Sequence, residues 1–428
     1  MNAQARLDYP MARTAPGPNG PPRVLLVGYN GANNTGSEAR LLSIIEDVRA
    51  VLGPEALITV PTLNEKNLRR YLSEGTNLRI APIPSIYFFA LKRLVREHDL
   101  VMLVEGSCYM DTWTTALLWA FLYSTKYAHA YGKASLAYAV DAGKLSPSNA
   151  KRVKRDASLT DLIITRTNIA AQRLRELGVT APVEVTADAA FPFEPAEKDR
   201  DFLQKDWPDA KGGIVGLSVV DFHLWPVVVR PLGRRENCYK WPYYYSRSSE
   251  RCRRSLELAA AWAAEADRII EKHGKWMALL AMEELDEPLA RSILARMKHP
   301  EKARIYSSRE HHASTMTAVL RGLDLLVTSR YHAGVLSLAA QVPQAALGHD
   351  PRLDSFYSEL GIRDDCFVES RDPDAWRKIA ERVDRLMADP EPMRQRLAAG
   401  NKAHVARARR NRTLLREFCE KRGWVKSG

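Results

Sequence analysis

The densest set of reactive side chains in the chain follows an apolar run that ends at Thr328. Four residues come next in order: Ser329, Arg330, Tyr331 and His332. Arginine is a permanent cation with a planar fork suited to carboxylate or phosphate, and histidine titrates nearest to neutrality. On extended backbone Arg330 and His332 point to the same side, so we expect one site that holds an anion and moves a proton. A surface arginine beside a helix-capping histidine is the alternative.

A loop rich in glycine and asparagine follows the first apolar run of the chain. It extends over residues 28–38 and leads into an amphipathic helix. Glycines let backbone N–H groups approach an anion, and the helix N-terminus adds partial positive charge. The spacing matches neither the dinucleotide fingerprint nor the P-loop. We expect Asn33 and Gly36 to contact an anionic substrate, with a plain tight turn capped by Thr35 or Ser37 as the alternative.

Three further apolar runs end near charged residues that parallel strands would bring to one edge of a sheet. These residues are Asp111 after 99–104, Arg166 after 161–165 and Asp188 after 183–186. We expect Asp111 to orient an acceptor hydroxyl or to accept its proton. An acid that stabilises a helix N-terminus is the alternative for Asp111. Arg166 and Asp188 are expected in the same site.

Short apolar runs alternate with amphipathic helical patterns, which predicts βαβ units and parallel sheets. A charged, proline-containing segment divides this pattern in two. We predict an α/β fold of two Rossmann-like, doubly wound domains with the site in the cleft between them. The predicted segments are a flexible lead-in (1–22), an N-terminal domain (23–193), a linker (194–211), a C-terminal domain (212–400) and a basic C-terminal helix (401–428).

The segment 221–254 interrupts the second domain where a prompt turn into a helix is expected. It is rich in tyrosine and tryptophan and holds seven arginines. Long irregular segments in compact domains are usually functional or disordered, and aromatic faces stack on sugar rings while arginine holds phosphate. We expect Trp241 and Tyr244 to contact the acceptor. Burial of the loop against its own domain or a partner subunit is the alternative.

The composition is that of a globular protein with a basic surface. Lys and Arg outnumber Asp and Glu by 63 to 51, a net charge of +12, which favours anionic partners. The five cysteines are widely spaced and never form C-x-x-C, so a reducing cytoplasm fits better than a disulfide framework or a zinc site. No apolar run approaches the ~20 residues that span a bilayer. Any membrane contact would be peripheral, at the inner face through the basic C-terminal helix, and a solvated helix packed on one side is the alternative.

The order of these motifs resembles that of the polysaccharide pyruvyl transferases. The resembling segments are 28–38, 99–111, Arg166 with its helix to Gly178, 186–191, and 329–332 with 343–352. The resemblance implies a GT-B-like pair of Rossmann-type domains with the site between them. The chain departs from the family pattern in three places: Glu105-Gly106-Ser107 replaces a glycine triplet, Thr167 replaces an acid, and 221–254 has no clear counterpart.

The resemblance implies transfer of a pyruvyl group from phosphoenolpyruvate to two hydroxyls of one sugar in a glycan or glycolipid, which forms a carboxyethylidene ketal. Arg166 and Arg330 would each clamp one anionic group of phosphoenolpyruvate. His332 would protonate the methylene carbon or the leaving phosphate, and Asp111 would act as the base. The other expected contacts are Asn33, Gly36, Asp188, Ser329, Tyr331, Trp241 and Tyr244. No metal and no cofactor besides the co-substrate is demanded.

The expected partners are phosphoenolpyruvate and a saccharide or lipid-linked saccharide, with no nucleic acid; a homo-oligomer stays open. Two other functions fit the same fold. A GT-B glycosyltransferase that uses a nucleotide sugar usually has an acid after a strand of the second domain, and residues 327–337 offer no convincing one. A non-catalytic subunit of a glycan assembly complex suits the altered glycines before Asp111, whereas the presence of Arg330 with His332 argues against it. We predict a cytoplasmic enzyme of cell-envelope polysaccharide biosynthesis.

Overall fold

The computed structural model describes residues 21–223, 227–245, 247–348 and 351–426. Most of the predicted lead-in and part of the last resembling segment (His349 and Asp350) lie outside these residues. The strands are β1 (Val24–Val27), β2 (Ile58–Thr62), β3 (Leu78–Pro82), β4 (Leu100–Leu103), β5 (Ala134–Val140), β6 (Leu162–Thr165), β7 (Val183–Val185), β8 (Ile214–Ser218), β9 (Val227–Val229), β10 (Cys238–Lys240), β11 (Tyr243–Tyr245), β12 (Trp276–Ala281), β13 (Ala303–Ser307), β14 (Leu325–Thr328), β15 (Gln344–Gly348) and β16 (Phe367–Glu369).

Helices connect most of these strands. The α-helices are α1 (Thr35–Leu52), α2 (Glu65–Leu68), α3 (Phe88–Glu97), α4 (Thr115–Ala130), α5 (Pro147–Ala157), α6 (Asn168–Glu176), α7 (Phe202–Asp206), α8 (Ser249–His273), α9 (Glu287–Leu294), α10 (Ala313–Arg321), α11 (Tyr331–Ser337), α12 (Pro351–Glu359), α13 (Arg363–Cys366), α14 (Ala375–Ala388) and α15 (Glu391–Glu420). Short 3-10 turns lie at Glu197–Asp199, Arg235–Asn237, Glu284–Asp286, Pro300–Lys302 and Leu338–Ala340. In the part of the chain that is described, no helix combines the length and the apolar character needed to cross a bilayer.

Two parallel sheets form the two domains. The N-terminal sheet has the order β3-β2-β1-β4-β5-β6-β7, and the C-terminal sheet has the order β13-β12-β8-β14-β15-β16. When β9, β10 and β11 are left out, the strands of the C-terminal sheet run 3-2-1-4-5-6 in chain order, which is the Rossmann order. The N-terminal sheet has the same order with a seventh strand, β7, added at one edge. The predicted α/β fold of two doubly wound domains is therefore confirmed. In each sheet the order reverses at one point, between β1 and β4 and between β8 and β14.

The central strands form because both faces of each sheet are covered by helices. All four residues of β1 are buried. Val24 and Leu26 pack into one apolar layer, whereas Leu25 and Val27 pack into the other. Alternate side chains of a strand point to opposite faces, so a strand covered on both sides reads as a continuous apolar run. This burial explains why the sequence pattern located the central strands.

Within the two parallel sheets, the sequence pattern missed β3 and β16, and both lie at the edge of a sheet. β3 includes Arg79, and β16 has only three residues and ends in Glu369. An edge strand has a neighbour on one side only and is less completely buried. It therefore lacks the long apolar run that marks a central strand.

The segment predicted as a linker packs on the C-terminal domain. It contains α7, and Leu203 and Trp207 belong to the core of that domain. The predicted C-terminal helix also differs, since α15 begins at Glu391 and is one helix of 30 residues. Its early residues pack on the C-terminal core, and later ones such as Leu414 and Phe418 pack on the N-terminal core. α15 thus fastens the two domains together along one side.

The segment 221–254 is more regular than the sequence indicated. β9, β10 and β11 form a small antiparallel sheet in the order β10-β11-β9, and α8 begins within the segment, at Ser249. The sheet contacts the N-terminal domain, since the Tyr243 hydroxyl donates to the Ser85 carbonyl at 2.9 Å and the Val227 N–H donates to the Trp113 carbonyl at 3.0 Å. This insert sheet therefore covers one side of the interdomain cleft.

The N-terminal end of α1 forms a second contact between the domains. The Thr35 N–H donates to the Met282 carbonyl at 2.9 Å, and the buried Glu38 carboxylate accepts from the Ala313 N–H at 2.9 Å. Burial raises the pKa of Glu38 to about 8. The fold thus favours the protonated form of a carboxyl group that joins α1 to α10.

We predict that Glu38→Gln stabilises the protein increasingly as the pH rises from 5 to 8. The folded-state pKa lies above the unfolded value, so the native protein binds more protons and wild-type stability falls as pH rises through this window, by at most about 1.4 kcal/mol per pH unit. Glutamine keeps an acceptor for the Ala313 N–H and does not ionise. Urea unfolding at several pH values tests this, with Glu46→Gln on the exposed face of α1 as the control. A stability difference that does not vary with pH would contradict the assignment.

Candidate active site

A cavity of about 730 Å³ lies between the two domains. Its lining includes residues that follow the four strands at the two reversal points: Gly28 after β1, Glu105 after β4, Val220 after β8 and Ser329 after β14. Doubly wound sheets bind ligands at this place, outside the carboxyl ends of the strands. The volume is within the ~300–1,000 Å³ typical of ligand sites. This cavity is therefore the candidate ligand-binding site.

Arg330 and His332 both line the cavity, but they do not share a strand face as predicted. β14 ends at Thr328, Arg330 has extended backbone before α11, and His332 lies in the first turn of that helix. The change of backbone conformation separates the two side chains. Arg330 points to Glu283, and His332 points to Asp188.

His332 is enclosed between the two domains. Its Nε2 atom lies 3.5 Å from Asp188 Oδ2. A Cβ atom on Gly36 would lie 2.1 Å from His332 Nδ1, so only glycine lets the imidazole pack against the start of α1. Burial lowers the pKa of His332, Asp188 opposes this shift, and Arg166 with Arg40 adds to it. A neutral imidazole at pH 7 accepts a proton, in contrast to the imidazolium predicted from the sequence.

Asp188 stands behind His332 in a fully buried cluster of charges. Arg40 Nη1 lies 2.8 Å from Asp188 Oδ1, and Arg166 Nη1 donates to Asp188 Oδ2. Arg166 Nε also donates to Asp141 Oδ2 at 3.0 Å. Although burial opposes ionisation, the two guanidinium groups hold the pKa of Asp188 well below its ordinary value. Asp188 is therefore a partner of His332 and not the substrate contact that was predicted.

Arg166 does not reach the cavity, which contradicts its predicted role as a clamp for phosphoenolpyruvate. Its side chain is fully buried and paired with Asp141 and Asp188. The ring of Tyr331 lies 4.6 Å from the guanidinium carbon. A Cβ atom on Gly106 would lie 2.6 Å from Arg166 Nη1. With these neighbours the guanidinium has no path to a ligand, whereas Tyr331 itself lines the cavity.

Arg330 lines the cavity but already has two acidic partners. Its Nε atom donates to Asp286 Oδ2 at 2.8 Å, and its Nη1 atom lies 3.1 Å from Glu283 Oε2. Burial raises the pKa of Asp286 to about 7 and also raises the pKa of Glu283. Burial therefore opposes ionisation of both carboxyl groups, and Arg330 counteracts this effect. A bound anion would compete with them for Arg330.

Asp111 is a structural residue. Its carboxylate accepts from the Ser146 N–H at 2.9 Å and from Asn149 Nδ2 at 2.8 Å, at the start of α5. Although partial burial opposes it, these hydrogen bonds hold the pKa of Asp111 below its ordinary value. Asp111 is not part of the cavity lining. The helix-terminus alternative is the one that the structure supports, and the predicted base role is wrong.

Three more predicted contacts lie outside the cavity. Asn33 joins the domains through Glu284, with 2.8 Å between Nδ2 and Oε2. Trp241 stands at an exposed turn and donates to the Pro231 carbonyl at 3.2 Å. Tyr244 is buried on the far face of β11. In contrast, Gly36 and Ser329 line the cavity as predicted, and the Ser329 hydroxyl has no hydrogen-bond partner among the described residues.

The sequence reasoning missed several cavity-lining residues: Asn34, Ser37, Glu105, Glu283, Tyr243 and Tyr245. The buried Glu105 carboxylate accepts from Ser37 Oγ at 3.0 Å. Glu105 occupies the place of a family glycine, and an acid at the end of a central strand was a usable signal. Tyr243 and Tyr245 flank Tyr244 on β11, so they share the opposite face of the strand.

The sequence model of the polysaccharide pyruvyl transferases matches residues 34–351. The match spans well over half of the 428 residues and includes loops of both domains that line the cavity. The chain therefore belongs to the polysaccharide pyruvyl transferase family and is a transferase of polysaccharide biosynthesis. Among curated proteins, none matches the sequence.

The fold is similar to that of proteins solved with UDP or UDP-sugars. S. aureus MnaA with UDP has a TM-score of 0.61 at 12% identity, over 94% of this chain and 97% of its own. The UDP-GlcNAc 2-epimerase of Neisseria meningitidis bound to UDP-GlcNAc has a TM-score of 0.59 at 10% identity, over 93% of this chain and 100% of its own. Anabaena HepE in complex with UDP-glucose has a TM-score of 0.56 at 10% identity, over 94% of this chain and 100% of its own. These similarities establish the GT-B-like fold.

We predict that Asp188→Asn destabilises the folded protein by about 3–5 kcal/mol, because it leaves two buried guanidinium groups with too little negative charge. Asp374→Asn is the matched control, since Asp374 pairs with Arg377 on the surface and such pairs contribute less than about 1 kcal/mol. Denaturant unfolding at pH 7 measures both changes. Equal, small losses in the two variants would show that the buried cluster does not stabilise the fold.

Proposed function

We propose that the protein transfers the pyruvyl group of phosphoenolpyruvate to two hydroxyls of one sugar, which yields a carboxyethylidene ketal and inorganic phosphate. The observation that carries the proposal is His332, held near Asp188 against the start of α1 in a cavity that Arg330 also lines. A neutral histidine accepts a proton at pH 7, and a helix N-terminus favours an anion. The reaction of a hydroxyl with a phosphorylated enol needs both.

The proposed reaction balances with proton transfers alone. The first hydroxyl adds to the carbon that bears the phosphate, and a proton bonds to the methylene carbon, which becomes a methyl group. The bond from carbon to the phosphate oxygen then breaks, and the second hydroxyl captures the oxocarbenium ion. The second proton leaves with the phosphate. No electrons are gained or lost, so phosphoenolpyruvate is the only co-substrate of the proposal.

We assign the proton transfers to His332 and Glu105. Neutral His332 accepts the proton of the first hydroxyl and, as imidazolium, supplies that proton to the methylene carbon; the proton of the second hydroxyl leaves with the phosphate. Glu105, held by Ser37 Oγ at 3.0 Å and the Gly106 N–H at 2.8 Å, serves as base for the second hydroxyl. Glu105 thus takes the role that the sequence had suggested for Asp111. Each such group contributes about 10² to 10⁴ in rate.

The negative charges of phosphoenolpyruvate are assigned to cations of the cavity lining. Arg330 keeps its predicted role, and Arg247 and Arg309 line the same cavity. Arginine suits carboxylate and phosphate because its fork makes two parallel hydrogen bonds. The saccharide is assigned to the wall formed by Tyr243 and Tyr245, whose rings present an apolar face together with a hydroxyl.

The first test uses purified protein with phosphoenolpyruvate and a panel of saccharides. We expect phosphoenolpyruvate to raise the melting temperature, because a ligand that binds only the native state stabilises it. We also expect phosphate release together with a mass gain of one carboxyethylidene group on the acceptor. A thermal shift with UDP-glucose and none with phosphoenolpyruvate would favour the glycosyltransferase alternative. Binding of phosphoenolpyruvate without turnover of any acceptor would favour a non-catalytic subunit.

We predict that His332→Ala lowers kcat by about 10² to 10⁴ and keeps the affinity for phosphoenolpyruvate within about tenfold, since the loss falls on the transition state. In the wild type, burial lowers the pKa of His332 from its ordinary value of 6.5. We therefore expect kcat/KM to decline only below pH 6.5, where the imidazole takes up a proton and can no longer act as a base. Asp111 lies outside the cavity, so Asp111→Asn is the matched control. We expect this variant to keep an activity near that of the wild type. A parallel loss of affinity and rate in His332→Ala would make His332 a binding residue.

A further inference from the structure

A second cavity, of about 1020 Å³, lies between the two domains and adjoins the first. Its walls include the segments after β4 and β5 on one side, and α8 with the ends of β15 and β16 on the other. Trp113 and Arg352 line both cavities, and the guanidinium carbon of Arg352 lies 5.3 Å from the centroid of the Trp113 ring. A ligand long enough to pass this pair therefore occupies both cavities.

The acidic side chains of the second cavity are neutralised from outside it. The lining includes three carboxylates, those of Glu257, Asp354 and Glu369. Glu257 pairs with Arg253 at 2.8 Å, and the other two both pair with Arg363. Neither arginine belongs to the lining. These carboxylates therefore do not balance the positive charge of the cavity.

The basic side chains of the second cavity outnumber its acidic ones. They are Lys144, Arg173, Arg254, Arg352 and Arg371. Among the described residues, no carboxylate forms an ion pair with Lys144, Arg173 or Arg371. The first two belong to the N-terminal domain and the third to the C-terminal domain, so cations face the cavity from both sides. Charge of one sign in a cleft with low-dielectric walls attracts ligands of the opposite sign.

Aromatic rings accompany these cations. Trp113, Phe222 and Trp376 line the second cavity, and each is partly exposed. Aromatic faces pack on sugar rings, and the arginine fork binds carboxylate through two hydrogen bonds. A neutral sugar uses only the rings, and inorganic phosphate uses only the cations. A saccharide that carries a carboxylate uses both.

We propose that the second cavity binds an acidic saccharide, namely the unit of the glycan that already carries a carboxyethylidene group. Its carboxylate lies at Lys144, Arg173 and Arg371, and the next unit of the same chain reaches the first cavity past Trp113 and Arg352. The protein thereby holds the glycan by its modified unit between successive transfers. This inference rests on the proposed function, since pyruvyl transfer converts a neutral sugar into an anionic one.

Two small sugars of similar bicyclic shape test the site. The acidic one is 4,6-O-(1-carboxyethylidene)-D-glucose, and the neutral one is 4,6-O-ethylidene-D-glucose, which lacks the carboxylate. Titration calorimetry at low salt measures both affinities. We expect the acidic sugar to bind at least about tenfold more tightly, because its carboxylate gains charge-assisted hydrogen bonds. Equal affinities would overturn the proposal.

A variant that fills the second cavity locates the bound sugar. Ala261 lies on the wall formed by α8, and Ala261→Trp should abolish the preference for the acidic sugar. Ala264→Trp, on the exposed face of the same helix, is the matched control. His332→Ala alters only the first cavity and should keep the preference. Loss of the preference in His332→Ala, with none in Ala261→Trp, would place the sugar in the first cavity and overturn the proposal.

A charge variant covers the case in which Ala261→Trp does not fold. Lys144 and Arg371 are exposed and belong to different domains, so replacing both by glutamine should lower the affinity for the acidic sugar at least about tenfold. The affinity for the neutral sugar should not change. Lys402→Gln with Arg409→Gln, on the exposed face of α15 and outside both cavities, is the control. Unchanged binding of the acidic sugar would overturn the assigned carboxylate position.

Turnover of phosphoenolpyruvate separates this inference from the proposed function. A preference for the acidic sugar without such turnover would support the acidic-saccharide site and reject the pyruvyl transfer. Turnover without the preference would support the pyruvyl transfer and reject the second site.

Discussion

The buried ionic cluster of Arg40, Asp188, Arg166 and Asp141 is the interaction on which the rest of the structure depends. It joins α1 to the ends of β5, β6 and β7, and it reaches the C-terminal domain through His332. Charges removed from water are tolerated only when each has its partners. The ends of four elements are therefore held in one arrangement, and the position of the imidazole between the domains follows from it.

This arrangement explains how the cleft combines charge with reactivity. Arg166 stays beneath the surface, where it helps keep His332 neutral, and Arg330 reaches the cavity with two carboxylates at its side. An anionic substrate would change this balance, because it would compete with the carboxylates for Arg330 and favour protonation of the imidazole. The protonation state of the site is thus coupled to the charge of its ligand.

The insert sheet adds a wall to the interdomain cavity. The two Rossmann-type domains supply the reversal points together with His332, Arg330 and Glu105, whereas β10 and β11 add Lys240, Tyr243 and Tyr245 to the lining. The proposed chemistry depends on a few atoms near the strand ends, and the insert sheet shapes another part of the cavity.

The sequence by itself determined the central strands, the two doubly wound domains, the family and the placement of His332, Arg330, Ser329 and Gly36 in the cleft. Each of these depends on local apolar runs or on motifs that read directly along the chain. The tertiary structure alone decided that Arg166 and Asp188 neutralise each other, that Asp111 supports α5, and that Glu105 and alternate tyrosines of β11 line the cavity. Charge pairing and strand register join residues that are distant in the sequence, so no local pattern specifies whether an arginine meets a carboxylate of its own chain or a ligand.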